Sequence, residues 1–459
     1  MSKAINVSIA CSLALSILTG CSLAPAYERP VAPVASAWTG ATANAPTTKA
    51  AADIAWQEYF VDARLKRLIE LALTNNRDLR VAALNVERTQ AQYQIQRAAQ
   101  WPAVNGVFAG QRQAATKDVF TLGVGITSFE FDFFGRVANL KDAALAQYLS
   151  TDESRKTVQI SLVAAVANTY LSLVADDALF AITQETLVTR EQSYKLAKLR
   201  FDNGVTSELD LRQAQGLVEA ARASLAQSQR QRALDENALV LLIGQPLPAD
   251  LPRGEPFAAQ AKLLADVPAG LPSELLNKRP DIRAAEQLLT AANANIGAAR
   301  AAFYPRISLS TSLGKVSGDL SHLLGGGTGW TFAPQLVLPL FNAGANEANL
   351  QATKLARDIA VAQYEKAIQT AFREVADALA SRATLMEQYR ATLAQVEAAQ
   401  ATYKLSELRY NNGVSSYLDL LDAQRSLFAV QTAALQLHLA QLQNQVTLYK
   451  ALGGGWTER

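Results

Sequence analysis

Residues 194–215 read YKLAKLRFDNGVTSELDLRQAQ, and residues 403–424 read YKLSELRYNNGVSSYLDLLDAQ, an offset of 209 at which fourteen of twenty-two positions are identical. Further upstream, residues 97–102 (RAAQWP) match residues 300–305 (RAAFYP), and Asp78-Leu79-Arg80 matches Asp281-Ile282-Arg283, both at an offset of 203. The chain is therefore a tandem duplication of roughly two hundred residues per half. Each copy turns on an Asn-Gly-Val triplet, Asn203, Gly204 and Val205 in the first half and Asn412, Gly413 and Val414 in the second. Glycine reaches the left-handed conformation that ends a helix, and the Ser and Thr that follow can cap the next one. Each triplet thus predicts a helical hairpin.

Residues 136–202 and 346–411, before the two turns, are rich in Ala, Gln and Leu and lack Gly and Pro. Nothing in them breaks a helix. At about 1.5 Å per residue each would reach roughly 100 Å, far beyond a globular helix. Shorter helical runs cover residues 63–100, 207–242, 273–302 and 416–452. In the last, Leu420, Leu427, Ala434, Gln441 and Leu448 share one heptad position, with Ala423, Val430, Leu437, Asn444 and Ala451 at its partner. Small and amide residues in that stripe suit close packing beside a wet surface.

Between the helical runs the period changes to two. Phe120, Leu122, Val124 and Ile126 alternate with Thr and Gly, after which the phase shifts so that Phe129, Phe131 and Phe133 alternate with Glu130 and Asp132. This requires a bulge or a change of exposed face near Ser128. Ile307, Leu309 and Leu313 alternate with serines; Trp330, Phe332, Leu336, Leu338 and Leu340 form a fourth run, and residues 103–110 a weaker first one. Two hairpins, at about 103–134 and 306–341, are expected. Strands of about ten residues, apolar on one face and small or polar on the other, are the mark of a transmembrane barrel. Four cannot close, and open edges in hydrocarbon cost several kcal/mol per unpaired group, so other copies must complete the barrel. Two copies give eight strands and three give twelve, of which only the larger has much lumen. Trp101, Tyr304, Phe131, Phe133, Phe134 and Phe341 fall where strand meets helix, the depth of interfacial aromatics.

Composition narrows the function. Of 459 residues 49% are hydrophobic, and 43 Lys+Arg nearly balance 41 Asp+Glu, which argues against a nucleic-acid binder. With two His (His322 and His438), two Met and two Cys, neither a histidine-based catalytic centre nor a soft metal site is expected. No phosphate-cradling, nucleophile-elbow or Cys-x-x-Cys motif is present. We expect no enzyme, no cofactor and no metal. His322 falls in the expected extracellular loop, and His438 reads as a packing or lumen residue.

The N-terminus carries Lys3 and then an apolar run over residues 9–18, an export signal too short for a mature span. It ends in Leu18-Thr19-Gly20-Cys21, which resembles the lipobox of bacterial lipoproteins. Cleavage there would leave Cys21 as an acylated first residue, with stable anchoring by more than one chain. Ser22 in place of Asp favours the outer membrane. The expected organisation is a signal at 1–20, an acylated extended tether at 21–55, a first repeat at 56–250, a linker at 251–272 and a second repeat at 273–459.

The lipobox, the stretch FEFDFFGR at residues 129–136, KRPDIRAAE at residues 278–286 and the paired Asn-Gly-Val turns together resemble outer membrane efflux factors of the TolC/OprM type, in their NodT-like lipoprotein branch. The resemblance spans residues 56–452. It implies a mainly α tandem-repeat protomer whose homotrimer forms a twelve-stranded barrel in outer membrane lipid, continued by a twelve-helix periplasmic barrel. It also implies a periplasmic adaptor and an inner-membrane transporter, commonly of the RND class, as partners. On it, the two turns are the adaptor-docking tip, and Asp419 and Asp422 with Leu418 form the periplasmic constriction. The two carboxylates are three residues apart, on one helix face. The first repeat has Asp210 but Gln213 at the corresponding positions, so it lacks the pair. The same architecture can serve type I protein secretion, and a pore-free coiled-coil envelope lipoprotein is the alternative from another class.

Overall fold

A computed structural model describes residues 23–35, 51–112, 118–265, 267 and 272–456. Along the chain run helices α1 (Trp56–Tyr59), α2 (Ala63–Asn75) and α3 (Arg77–Ala98), strands β1 (Val104–Gln111) and β2 (Val119–Phe131), and helices α4 (Arg136–Asp202) and α5 (Glu208–Ile243). Then come α6 (Pro272–Lys278) and α7 (Pro280–Ala301), β3 (Arg306–Ser317) and β4 (Gly327–Val337), and α8 (Ala345–Asn411) and α9 (Tyr417–Ala451). Both 67-residue helices are unbroken, as their lack of Gly and Pro requires. The chain gathers into two units. One takes Met1–Pro33, Ala83–Ser154 and Asp281–Ala367, and the other Val34–Ala82, Arg155–Pro280 and Ile368–Arg459. Each unit draws on both repeats.

Two of the shorter helical runs are broken. The run 63–100 breaks at Asn76, whose side-chain oxygen accepts the Leu79 amide at 2.9 Å and whose Nδ2 donates to the Leu242 carbonyl at the end of α5 at 2.8 Å. One side chain thus starts one helix and satisfies the end of another. The run 273–302 breaks at Arg279, since Pro280 has no amide hydrogen to continue the ladder.

The second unit holds the larger apolar core. The Tyr59 and Tyr449 rings stack at 3.9 Å, with Phe60 edge-on to Tyr59 at 4.8 Å. Leu65, Leu68 and Ile69 of α2 are buried, as are Leu239 and Ile243 of α5, the helix against which α2 packs. One helix, α4, is apolar enough over part of its length to cross a membrane. Its Val163, Val166, Ala167, Tyr170 and Leu171 are instead buried in the protein, with the Tyr170 hydroxyl donating to Asp62 at 2.8 Å.

The first unit holds a four-stranded antiparallel sheet in the order β1-β2-β3-β4. Its rungs sort the side chains by face. Val124 pairs with Leu313 and Leu313 with Trp330; Ile126 with Thr311 and Thr311 with Phe332; Phe131 with Ile307 and Ile307 with Leu336. On the other face the rungs are Gly123-Gly314-Gly329, Gly125-Ser312-Thr331 and Glu130-Ser308-Gln335. The phase shift at Ser128 is a bulge, not a change of face. Ser128 takes φ 53° and its amide donates to Ser310 Oγ at 3.0 Å, and pairing resumes at Phe129–Leu309. The extra residue keeps Phe129 and Phe131 in line with Ile126. Gly123 and Gly314 face each other so closely that a Cβ on either would lie 2.3 Å from the backbone oxygen of Leu313 or Leu122.

In the same unit residues 23–29 are fastened to α7. Arg300 and Asn293 of α7 donate to the carbonyls of Leu23 and Pro25 at 2.9 and 2.8 Å. Tyr27 donates to Glu286 at 3.1 Å, and Arg29 makes a bidentate pair with the same carboxylate. Cys21, the expected lipidation site, lies outside the described residues.

Candidate functional site

The sheet presents its apolar face to solvent. Trp330, Phe332 and Leu313 are 75%, 61% and 56% exposed, although they lie on neighbouring rungs of one face. Such a patch of aromatic and aliphatic groups requires an apolar surrounding. The opposite face carries Gly, Ser, Thr and Ala, with Ser312 and Thr331 hydroxyls 2.7 Å apart. Among the described residues β1 and β4 have one strand neighbour each, so the sheet has two open edges.

The expected aromatic residues collect at one end of this sheet. Trp101 precedes β1, Phe131 ends β2 with Phe133 just beyond, Tyr304 precedes β3, and Phe341 follows β4; antiparallel pairing brings these four strand ends together. All five are exposed, Phe341 most of all. Phe134 is drawn inward and stacks on Tyr304 at 4.7 Å. Charges at this end are spent on one another. Glu130 accepts from Arg136 at 2.7 and 2.8 Å and pairs with Arg306 at 3.2 Å, while Asp132 accepts the Ala138 amide in the first turn of α4.

The Asn-Gly-Val turns share one geometry. Gly204 and Gly413 take φ of 69° and 72°. Val205 and Val414 amides donate back to Arg200 and Arg409 carbonyls at 2.8 and 2.9 Å, and Asn203 and Asn412 side chains to Leu199 and Leu408 carbonyls, each at 2.7 Å. A left-handed glycine with this backward bond closes a helix C-terminus. Ser207 and Ser416 then form capping boxes with Asp210 and Asp419. Val205 and Val414 stay exposed. Between the two turns, Arg200 lies 4.3 Å from the Tyr410 ring centre and donates to the carbonyls of Tyr410 and Asn411, covering the negative end of α8.

Asp419 and Asp422 are both exposed on the first turns of α9, with Leu418 60% exposed beside them. Asp419 has a structural duty as well, since its carboxylate accepts the Ser416 amide at 3.2 Å. Asp422 makes no hydrogen bond or ion pair among the described residues. Asp210 is held more firmly. Thr206 Oγ1 donates to it at 2.6 Å, which with the Ser207 bonds lowers its pKa.

His438 is a packing residue, buried against Tyr389 (stacked, 4.8 Å) and Phe257 (edge-on, 5.0 Å), and burial lowers its pKa. His322 is exposed in the loop between β3 and β4, beside Ser321 Oγ at 3.0 Å. Among the described residues no group of three or more His, Cys, Asp or Glu could hold a metal ion. Sequence reasoning missed Arg190 and Arg200. Arg200 was within reach, because the helix-ending Gly204 marks carbonyls that need a cation.

The outer membrane efflux protein family matches residues 68–245 and 271–454. The probable efflux pump outer membrane protein TtgC of Pseudomonas putida is 50% identical over 458 residues, which cover 96% of this chain and 94% of that protein. The outer membrane protein OprJ of Pseudomonas aeruginosa is 45% identical over 455 residues, at 96% and 94% coverage. Among solved structures, the open state of the MtrE outer membrane channel of Neisseria gonorrhoeae superposes with a TM-score of 0.87 at 40% identity, covering 95% of this chain and 98% of that one. With the apolar-faced sheet, the duplicated helical hairpins and matches over nearly its whole length, the chain belongs to the outer membrane efflux protein family.

Proposed function

We propose that three copies of this chain close a twelve-stranded barrel in the outer membrane and serve as the exit duct of a tripartite efflux pump. A periplasmic adaptor and an inner-membrane transporter of the RND type complete the pump. The observation that carries this is the sheet, with an apolar face exposed to solvent, a small polar face behind it and an open edge at β1 and β4. In hydrocarbon each unpaired edge group costs several kcal/mol, and pairing β4 of one copy with β1 of the next removes every edge. The polar face then lines a wet lumen. Cys21, acylated, anchors the chain, and the exposed aromatics at the sheet end sit at the membrane surface.

The exposed turns at Asn203–Val205 and Asn412–Val414 dock the adaptor. Asp419 and Asp422 form the constriction, with Leu418 beside them. Carboxylates about 6 Å apart repel by about 0.7–3 kcal/mol, depending on screening, so a threefold ring attracts cations and resists closing without them. Relatives at 50% identity are named for antibiotic and for toluene efflux, which supports small organic molecules as cargo. Light scattering of the detergent-extracted protein with bilayer conductance tests this reading. Three chains per particle and a cation-preferring channel are expected; a non-conducting monomer would overturn it.

A further inference from the structure

We infer that Lys315 binds a phosphate group of the outer-leaflet lipid, with Arg112 as its weaker equivalent in the first repeat. The two cations match at the same offset of 203 that aligns Trp101 with Tyr304. Each lies eleven residues beyond that aromatic and eight beyond Val104 or Ile307, hence on the same apolar face. Eleven residues at about 3.3 Å each, tilted by about 40°, rise roughly 28 Å, near the thickness of the hydrocarbon core. The aromatics therefore mark one membrane boundary and the cations the other.

Lys315 closes the apolar face. Its rung is Phe108-Leu122-Lys315-Thr328, and the next rung toward the aromatic end holds Val124, Leu313 and Trp330. A lysine facing lipid is costly at the midplane and tolerated at the boundary, where its head reaches the polar region. Its Nζ donates to the Gly326 carbonyl at 3.2 Å and to Thr328 Oγ1 at 3.4 Å. Both acceptors are neutral, so the head is held in place while its charge stays uncompensated.

No carboxylate pairs with Lys315 among the described residues. Asp118 is held by Arg112 at 2.7 Å, and Asp319 accepts the Ser321 amide at 3.0 Å and the Ser321 hydroxyl at 2.9 Å. At the offset of 203 the counterpart of Asp118 is Ser321, so the second repeat keeps the cation and lacks its acid. Resting on the barrel proposed above, the aromatic end adjoins the helices and the periplasm, which puts Lys315 at the outer leaflet. The lipid of that leaflet is a glycolipid with phosphates on its sugars. A lipid phosphate is thus the counter-ion that this boundary supplies, and lysine meets it as a point charge.

The intact protein in phosphatidylcholine nanodiscs tests this by its melting temperature and by native mass spectrometry of retained lipid. Lipid A carrying both phosphates should raise the melting temperature and stay bound, and dephosphorylated lipid A should do neither. Lys315→Gln, which keeps a donor for the Gly326 carbonyl, should lose most of the gain; Lys315→Arg should retain it, and Arg112→Gln should lose a smaller share. Equal gains from the two lipids, a gain from inorganic phosphate alone, or a Lys315→Gln variant that responds like the native chain would overturn the site. Conductance is read separately. A trimeric channel indifferent to lipid phosphate rejects this site and leaves the duct standing, whereas a non-conducting monomer rejects the duct itself.

Discussion

Arg279 Nη1 donates at 2.8 Å to the carbonyl of Ala451, the last residue of α9, while its Nη2 pairs with Glu374 of α8 at 2.8 Å. The side chain is buried, so the cation meets the negative end of a helix away from water, where such a contact is worth more than at a surface. It ties the break between α6 and α7 to two other helices.

Arg279→Met keeps most of the packing volume and removes the donors. The orphaned carbonyl and the lost ion pair should cost about 2–4 kcal/mol. A fall in melting temperature measured on the intact detergent-solubilised protein checks this; Arg283→Met, at a more exposed pair with Glu153, should lower it less.

Gly123→Ala and Gly314→Ala should each prevent β2 and β3 from pairing in register, because the new Cβ meets a backbone oxygen at 2.3 Å and backbone cannot step aside. The expected result is loss of the oligomer, read as particle mass by light scattering of the detergent-extracted protein. Ser312→Ala, one rung away, removes a hydroxyl contact worth about 1 kcal/mol and should leave the oligomer intact. An oligomer surviving in all three would mean the glycine rung is not a steric requirement.

Asp176 of α4 faces Asp235 of α5, and burial, followed by that neighbouring carboxylate, raises its pKa to about 7. Because the folded value lies above the unfolded one, the folded state holds a proton that the unfolded state has lost. Stability is therefore unpenalised below about pH 4 and falls as pH rises to about 7. Asp176→Asn should raise the melting temperature at pH 8 and raise it less at pH 5. An equal gain at both would show that repacking, not titration, is responsible.

Neutralising the acids of α9 needs a substitution that spares the helix. Asp419→Ala with Asp422→Ala would also remove a capping box, costing about 1 kcal/mol. Asp419→Gln keeps an acceptor at the capping position, so Asp419→Gln with Asp422→Asn isolates the charge. Conductance in a planar bilayer should rise and cation preference weaken. Unchanged selectivity would remove both residues from the constriction.

The tandem repeat, the uninterrupted helices, the four strands and the two turns were legible because each depends on local chemistry. Glycine and proline are where a long helix must stop, and period-two alternation needs no knowledge of partners. The bulge was half legible. A broken phase in Phe129 and Phe131 announces it, but only the Phe129–Leu309 pairing distinguishes a bulge from a change of face. The burial of Arg190 and Arg279 was not legible. Nothing in a Lys/Arg count reveals which guanidinium is buried, or whether a carboxylate stands opposite it.

The sequence by itself determined that this protein is a duplicated chain of long helical hairpins with four amphipathic strands, and that those strands need other copies. Periodicity and breakers act over a few residues and leave their mark in the chain. Only the tertiary structure decided that Asn76 also binds the end of α5, that Arg279 binds the end of α9, and that residues 23–29 are fastened along α7. Each of these depends on groups far apart in sequence meeting at hydrogen-bond distance, and the free energy of such a meeting has no local trace.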